Sequence, residues 1–327
     1  LEKKTNHFNQ KGLIMPILST NLTPDLRLAQ ALDQALLVML TDMATIRNWS
    51  NAGSMAVNNY GSINSTGATT SRIRLAGLGG RNPFVDTAAE DTDVAETALT
   101  DAHVDIAVVR SALLRNISDL ATLTGFAQDI DPLSLAQDLG MSFETYFNGL
   151  VGAAVATAAT TVGAAGVDFS MDNWYDATYV LELNSVPGPY FALLHPRQYA
   201  DMVESLRAEA GAVSLITAAT PEVMSMTGPG IKGSFLGVSI FTSSHVTESG
   251  GDKYGAMFGT GALGYKTGSP DARSYLGAGT VVQTNDGSIT VEISRNPSAA
   301  LTEVVGNAYC GLSVIEQGRL VGIVTDA

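Results

Sequence analysis

The spacing of apolar and polar positions predicts a helix near the start of the chain. Thr23 suits the helix cap, Pro24 the first helical position, and Asp25 the positive end of the helix dipole. Apolar residues then recur at helical spacing at Leu26, Ala29, Leu36, Leu40 and Met43. We predict one amphipathic helix over 24–47, which either packs its apolar face on the core or forms a partner-binding arm.

The next segment is polar. Residues 48–70 read "NWSNAGSMAVNNYGSINSTGATT", and a stretch so rich in Asn, Ser, Gly and Thr cannot bury much apolar surface by itself. The following "SRIRLAGL" alternates basic with apolar side chains, as a strand with one polar face does, over Arg72, Ile73, Arg74 and Leu75. We interpret the two stretches as one long projecting hairpin, and removal of its residues 52–70 should leave the subunit folded.

An acidic stretch follows this hairpin. Its carboxylates belong to Asp86, Glu90, Asp91, Asp93 and Glu96. Their spacing is not that of a calcium-binding loop. We interpret them as a solvated or intersubunit charge surface. Asp91 and Asp93 are candidates to pair with Arg72 and Arg74 of an adjoining copy.

A second long helix is predicted in the middle of the chain. Residues 103–115 read as a strand that leads into a capped turn around Ser118, and Asp131-Pro132 then starts a helix. Apolar residues keep helical spacing to about Ala159, so a spine helix over 131–159 would be roughly 40 Å long. Gly140, Gly149 and Gly152 lower its intrinsic stability, so we expect packing to support the helix along its length.

The stretch "YFALLHPRQYADMVESL" places a histidine between an apolar run and a helix start. Tyr190 to Leu194 read as a strand, and Pro196 suits the first position of the helix that follows. His195 therefore lies at a strand-to-helix corner. A catalytic histidine needs a second titratable group within reach, and nothing in the sequence places His245 or a carboxylate beside it. We predict a structural corner.

The C-terminal part is rich in alternating runs. "VVQTNDGSITVEISR" surrounds Asn285-Asp286-Gly287, and "YCGLSVIEQGRLVGIVTDA" surrounds Gln317-Gly318. The sequence therefore predicts two hairpins. Cys310 lies in one of their strands, where we expect a buried structural thiol and not a nucleophile.

Composition narrows the class of function. The 327 residues carry 18 Lys and Arg against 32 Asp and Glu, a net charge of −14, which disfavours a protein that grips nucleic acid through its phosphates. The first twelve residues lack the apolar core of a signal peptide, and no stretch reads as a membrane segment. A single cysteine and scattered histidines give no metal-site spacing, at His7, His103, His195 and His245. We expect no metal, no cofactor and no catalytic residues.

Two glycine motifs imitate nucleotide-binding loops. "GTGALG", Gly259–Gly264, matches G-x-G-x-x-G, but that fingerprint needs a helix to begin there, and Gly268 and Pro270 leave it no room. "GLGG", Gly77–Gly80, has no following Lys-Ser/Thr and reads as a flexible corner. No G-x-S-x-G elbow occurs, which weakens a hydrolase interpretation.

Taken in order, these segments resemble the major capsid proteins of tailed bacteriophages, with the Hong Kong ninety-seven (Johnson) fold. The resemblance covers nearly the whole chain and rests on order and spacing. Its most telling pieces are "LLHPRQY", "LGVSIFTSSHV", "MFGTGALGYKTG" and "NAYCGLSVIEQGRLVGIVTDA".

The resemblance implies an α+β fold with a mixed α/β axial domain. Its expected parts are an N-terminal arm and helix (1–47), an extended loop hairpin (48–97), a peripheral domain with the spine helix (98–164), the axial domain (165–285), and terminal strands returning to the peripheral domain (286–327).

The resemblance also implies a structural role and no enzymatic activity. Copies would assemble into hexamers and pentamers of an icosahedral shell that encloses double-stranded phage DNA without sequence-specific binding. Such a protein is assembled in the host cytoplasm and resides in the virion, with portal, scaffolding or decoration proteins as further partners and no membrane. The acidic balance suits a container that must not adsorb its DNA. An encapsulin-like nanocompartment and a nucleotide-binding metabolic enzyme are the alternatives.

One feature departs from some members of that family, whose subunits are joined by an isopeptide bond from a loop lysine. The lysines of this chain are confined to positions outside 48–97: Lys3, Lys4, Lys11, Lys232, Lys253 and Lys266. We therefore expect non-covalent contacts alone to hold the subunits together.

Overall fold

A computed structural model describes seven parts of the chain: 57–63, 69–74, 103–123, 132–208, 231–268, 280–283 and 289–326. The predicted helix over 24–47, the acidic stretch and the GLGG corner lie outside the described residues, so these predictions are untested.

The described chain forms most of its strands before and after a central group of helices, and two short strands lie between those helices. The helices are α1 (Asp119–Leu123), α2 (Pro132–Val155), α3 (Met171–Leu183) and α4 (Pro196–Ala208). The strands are β1 (Val57–Ile63), β2 (Thr70–Arg74), β3 (His103–Ala107), β4 (Val109–Ser118), β5 (Thr160–Gly163), β6 (Tyr190–Leu194), β7 (Ile231–Phe235), β8 (Val238–Thr242), β9 (Glu248–Ser249), β10 (Asp252–Gly259), β11 (Leu263–Gly268), β12 (Thr280–Gln283), β13 (Ile289–Asn296), β14 (Leu301–Val314) and β15 (Leu320–Thr325).

The first sheet is built around the long strand β14. Its order is β1-β11-β14-β13-β12, and β4 also pairs with β14. Strands β13 and β11 pair with successive parts of one edge of β14. Strand β4 pairs with the other edge, since Cys310 of β14 lies opposite both Thr267 of β11 and Val109 of β4. The predicted hairpin of β12 and β13 is confirmed, with Gln283 opposite Thr290.

The second sheet carries helices α3 and α4 on one face. Its order is β5-β15-β10-β6-β8-β7, with β9 on β10. Along β6, Ala192 and Leu194 point into the core beneath the two helices, and Phe191 and Leu193 point into the opposite core. Every second residue of a strand faces the same side, so this fully apolar strand is buried on both faces.

Helix α2 joins the two sheets into one core. Its buried stripe of Leu139, Phe143, Phe147, Val151 and Val155 fits the predicted helical spacing. The helix packs against β14 of the first sheet and β10 of the second. The expected support at a glycine is present at Gly152, where an added Cβ would lie 2.2 Å from the carbonyl oxygen of His245.

The spine helix is shorter than predicted. It starts at Pro132, as the cap signal indicated, but ends at Val155 and not near Ala159, so its 24 residues span about 36 Å. After Val155 the chain turns and becomes β5, which pairs in parallel with β15. The spacing of apolar residues could not reveal where the helix ends, because the pairing of β5 with the distant strand β15 decides it.

The second predicted C-terminal hairpin is wrong. β14 lies in the first sheet, whereas β15 lies in the second sheet between β10 and β5. The short 3-10 turn Gln317–Arg319 that precedes β15 thus links two sheets. Alternating residues show that each segment is a strand, but they do not name its partner.

The predicted hairpin over 48–70 and the following strand is also wrong. β1 pairs in parallel with β11 of the first sheet, and Val57 is buried in the main core. β2 pairs with β3 instead, from Thr70 opposite Ala107 to Arg74 opposite His103. A polar composition did not prevent β1 from joining the sheet, because backbone hydrogen bonds to β11 need no apolar side chains.

Candidate assembly surfaces

Strands β2 and β3 form a two-stranded ribbon whose ends lead into residues 75–102, outside the described part. The Arg72 guanidinium donates two hydrogen bonds to the Asp105 carboxylate across the ribbon, with Nε–Oδ1 at 3.0 Å and Nη2–Oδ2 at 3.3 Å. This hydrogen bonding lowers the pKa of Asp105. Arg72 thus has an acidic partner in its own chain, and its pairing with Asp91 or Asp93 of another copy stays a prediction.

The ribbon is anchored to the first sheet at its base. Ile106 of β3 is fully buried, and an added Cβ at Gly311 of β14 would lie 2.1 Å from the carbonyl oxygen of Ala107. The Lys266 ammonium of β11 donates to the Ser71 hydroxyl of β2 at 2.7 Å. These contacts fix the direction in which the ribbon leaves the sheet.

The corner at His195 is a helix cap. β6 ends at Leu194 and α4 begins at Pro196, as predicted. The Arg197 backbone amide donates to His195 Nδ1 at 3.2 Å, and the His195 amide donates to Gln198 Oε1 at 2.9 Å. This reciprocal arrangement resembles a capping box, except that the N-cap side chain accepts from the second helical residue, and it satisfies amides at the helix start.

Gln198 extends this cap into the second sheet. Its side-chain amide is buried and donates to the carbonyl oxygens of Lys253 and Ile323, both at 3.2 Å, and to the Thr325 hydroxyl at 2.9 Å. An added Cβ at Gly255 would lie 2.5 Å from Gln198 Oε1, so this glycine admits the side chain. Gln198 thereby joins α4 to both β10 and β15.

Two charged residues that the sequence did not place near His195 act on it. Lys253 is buried and forms an ion pair with Glu248. Burial lowers the pKa of His195, the Lys253 charge lowers it further, and the Glu248 charge opposes them. No sequence signal identified this pair, because more than fifty positions separate either residue from His195. A neutral imidazole keeps Nδ1 available as the acceptor of the cap.

The GTGALG segment is a tight turn between strands. β10 ends at Gly259 and β11 begins at Leu263, so a strand stands where the dinucleotide fingerprint needs a helix. Gly261 has φ +79, and the Arg319 guanidinium donates to the Thr260 carbonyl oxygen at 2.9 Å. The expectation that no helix follows this motif is confirmed.

The remaining chemistry-bearing residues lie apart. Cys310 is buried in β14 as predicted, and burial raises its pKa to about 12. His103 opens β3, and His245 lies in the turn after β8. Within the described ranges, no three His, Cys, Asp or Glu side chains gather in a way that could hold a metal ion. In the same ranges, no helix has the length and apolarity to cross a membrane.

Several large apolar side chains are exposed instead, and they outline surfaces that could bind other chains. Helix α3 presents Tyr175, Tyr179 and Leu183 along one side, here called the tyrosine face. Leu236 stands at the tip of the β7–β8 hairpin. Further exposed apolar residues are Val109 and Leu114 on β4, Leu120 and Leu123 on α1, and Met141 on α2.

Sequence comparison finds no relative for this chain. No protein-family model matches it, and no curated protein does. Solved structures do match. The capsid of Ralstonia phage GP4 aligns over 85% of this chain and 88% of its own, with a TM-score of 0.53 and 12% identity. The capsid of cyanophage P-SCSP1u aligns over 86% and 88%, with a TM-score of 0.52 and 13% identity. The chain has the Hong Kong ninety-seven capsid fold.

An encapsulin shares this capsid fold. The holo-SrpI encapsulin complex of Synechococcus elongatus aligns over 85% of this chain and 87% of its own, with a TM-score of 0.55 and 12% identity. The α+β capsid fold predicted from the order of segments is thus confirmed. At these identities the likeness concerns the fold alone.

Proposed function

We propose that this chain is the major capsid protein of a tailed bacteriophage. Its copies assemble into hexamers and pentamers of an icosahedral shell that encloses phage DNA. The observation that carries this proposal is the capsid fold, which spans at least 85% of this chain and of each of the two phage capsid chains.

Two features of the described residues support a structural role without enzymatic activity. The ribbon of β2 and β3 is anchored on the first sheet, and such a rigid base suits an arm that reaches a neighbouring subunit. His195, the candidate base, has its Nδ1 committed to the helix cap. The net charge of −14 also suits a shell that encloses DNA without binding it.

We propose a narrower position for the extended loop than the sequence suggested. β1 is part of the first sheet, so the loop of the proposed shell is the segment 75–102 between β2 and β3, rather than 48–97. The predicted limits 165–285 and 286–327 do not coincide with the two sheets, because β11 and β12 join the first sheet and β15 joins the second. As a phage capsid the protein would reside in the virion after assembly in the host cytoplasm, with portal, scaffolding or decoration proteins as partners.

An encapsulin-like compartment is the second candidate. The TM-score to the encapsulin, 0.55, is close to the 0.53 and 0.52 to the two phage capsids, so the fold supports both containers equally. They differ in what they enclose. A phage shell packages DNA, whereas a compartment would carry protein.

Electron microscopy of the purified full chain tests the proposal. We expect closed shells of uniform diameter with hexameric and pentameric units. Small oligomers at every concentration would contradict a shell and favour the enzyme alternative. Particles recovered from the natural source separate the two containers, because nuclease-protected DNA indicates a phage capsid and co-purified protein cargo indicates a compartment.

A further inference from the structure

The tyrosine face of α3 is an unusual surface for an isolated subunit. Tyr175, Tyr179 and Leu183 recur every four residues, so they form one stripe opposite the buried side of the helix. Tyr179 is 62% exposed and Leu183 is 66% exposed. Aromatic side chains that stand exposed together are enriched at protein interfaces.

This stripe has an acidic border. Helix α3 contains three acidic residues and no Lys or Arg, and all three are exposed: Asp172, Asp176 and Glu182. A partner for this face therefore needs an apolar contact beside a positive charge.

The strand β7, at the end of the second sheet, offers such a surface. Leu236 and Gly237 form the two-residue turn between β7 and β8, with φ +50 and +80. Both positive values mark a turn that favours Gly or Asn, yet a leucine occupies it with 57% of its surface exposed. The left-handed backbone disfavours a leucine here, and an apolar contact outside the subunit would offset that cost.

The same strand carries an unpaired cation. Lys232 is exposed on β7, and the described residues contain no hydrogen-bond or ion-pair partner for its ammonium. Most of the other cations with described side chains are bound within the chain, for example Arg72 to Asp105 and Arg115 to Asp138. Leu236 and Lys232 together are here called the β7 edge.

We propose that the tyrosine face of α3 packs against the β7 edge of a second copy of this chain. The inference rests on the proposed shell function and names one of its subunit contacts. The apolar stripe receives Leu236, and the acidic border faces Lys232. Because two different surfaces meet, the contact is heterologous, and repeated contacts of this kind close into a ring when the rotation between copies allows it.

A substitution at Leu236 gives a test whose result cannot be attributed to misfolding. Leu236→Gly removes the apolar side chain and also relieves the left-handed backbone, so the subunit should unfold at the same or a higher temperature. We nevertheless expect the concentration needed for half-assembly, measured by sedimentation velocity on the full chain, to rise about tenfold or more. Leu236→Met is the matched control, since it keeps the strain and the apolar contact, and it should assemble as the wild type does.

The charge border is tested by exchange. Asp176→Lys and Lys232→Glu should each weaken assembly, because each places like charges opposite one another. The double variant restores opposite charges and should assemble within about threefold of the wild type. Tyr179→Ser tests the other side of the contact and should resemble Leu236→Gly.

The outcomes separate this inference from the proposed function. A wild-type chain that never forms shells overturns both. If the wild type forms shells, and Leu236→Gly and Tyr179→Ser do so at the same concentration, the contact is wrong while the shell function stands. A double charge variant that assembles no better than the single variants would overturn the pairing of these two surfaces.

Discussion

The backbone amide of His195 donates a hydrogen bond to Gln198 Oε1 at 2.9 Å, which ties the end of β6 to the first turn of α4. Gln198 then donates to β10 and β15 through its amide nitrogen. One buried side chain thus fixes the helix start against two strands of the second sheet. The pair explains why a polar corner interrupts an otherwise apolar stretch.

Replacement of His195 by alanine should leave assembly nearly intact. The variant loses one capping acceptor, so we expect about 1 kcal/mol less stability. Gln198→Ala should cost more, because it leaves buried backbone groups without partners. Thermal unfolding and particle yield measure both effects. A chemical turnover that the wild type performs and the folded His195→Ala variant lacks would contradict the structural role.

We expect Asp201 to make the stability of the subunit depend on pH. Its side chain is 7% exposed and Oδ2 has no hydrogen-bond partner, although Oδ1 lies 3.2 Å from Arg197 Nε. Burial raises the pKa of Asp201; Arg197 opposes that rise, while Asp168, Glu204 and Asp326 add to it. The folded state therefore binds this proton more tightly than the unfolded state does. The sign follows: this residue's contribution to stability falls as pH rises above its unfolded pKa of about 3.9.

Asp201→Asn should consequently raise the melting temperature at pH 7 and reduce the loss of stability between pH 4 and pH 7. Glu204→Gln removes one repelling charge while Asp201 stays, so its gain should have the same sign and be smaller. Melting curves across this pH range compare the three proteins. A variant that melts lower than the wild type at pH 7 would show that the Arg197 ion pair outweighs burial.

Two glycines of α2 should respond in opposite ways to alanine. An added Cβ at Gly152 would meet the His245 carbonyl oxygen, whereas at Gly149 nothing lies within 4 Å. Gly149→Ala should therefore stabilise the subunit by up to about 1 kcal/mol through helix propensity. Gly152→Ala should destabilise the subunit by about 1 to 3 kcal/mol, because the added methyl group overpacks the site. Equal effects in denaturant unfolding would show that the two positions are not packed differently.

Particles boiled in SDS should release free subunits near 34.1 kDa. The revised loop segment 75–102 lacks lysine, as does the originally predicted 48–97, so neither can supply the amine of an isopeptide bond. A gel under reducing conditions checks this. Covalent ladders of five and six subunits would require a cross-link from one of the lysines elsewhere.

Deletion of residues 52–70 should unfold the subunit, contrary to what its polar composition indicates. The deletion removes β1, which includes buried Val57 and covers one edge of β11. Replacement of 75–102 by a short Gly-Ser linker should instead keep the fold and prevent shell closure. Circular dichroism and sedimentation distinguish the two deletions. A folded 52–70 deletion would show that β1 contributes little to the first sheet.

Local sequence signals located several elements correctly. Asp131-Pro132 marked the start of α2, and Pro196 marked the start of α4, because helix initiation depends on a few adjacent residues. The same holds for the turn between β10 and β11, where nearby glycines and proline excluded a helix. The order of these elements sufficed to predict the capsid fold.

The tertiary structure alone decided which strands pair. β1 and β15 join partners that lie far away in the chain, and the end of α2 depends on β5 meeting β15. The Lys253–Glu248 pair beside His195 likewise arises only when distant segments meet. The alternation of apolar and polar residues determines which face of a strand is apolar. Its backbone hydrogen bonds can be made by any neighbouring strand with free N–H and C=O groups. The packing of the whole core therefore decides which strands pair.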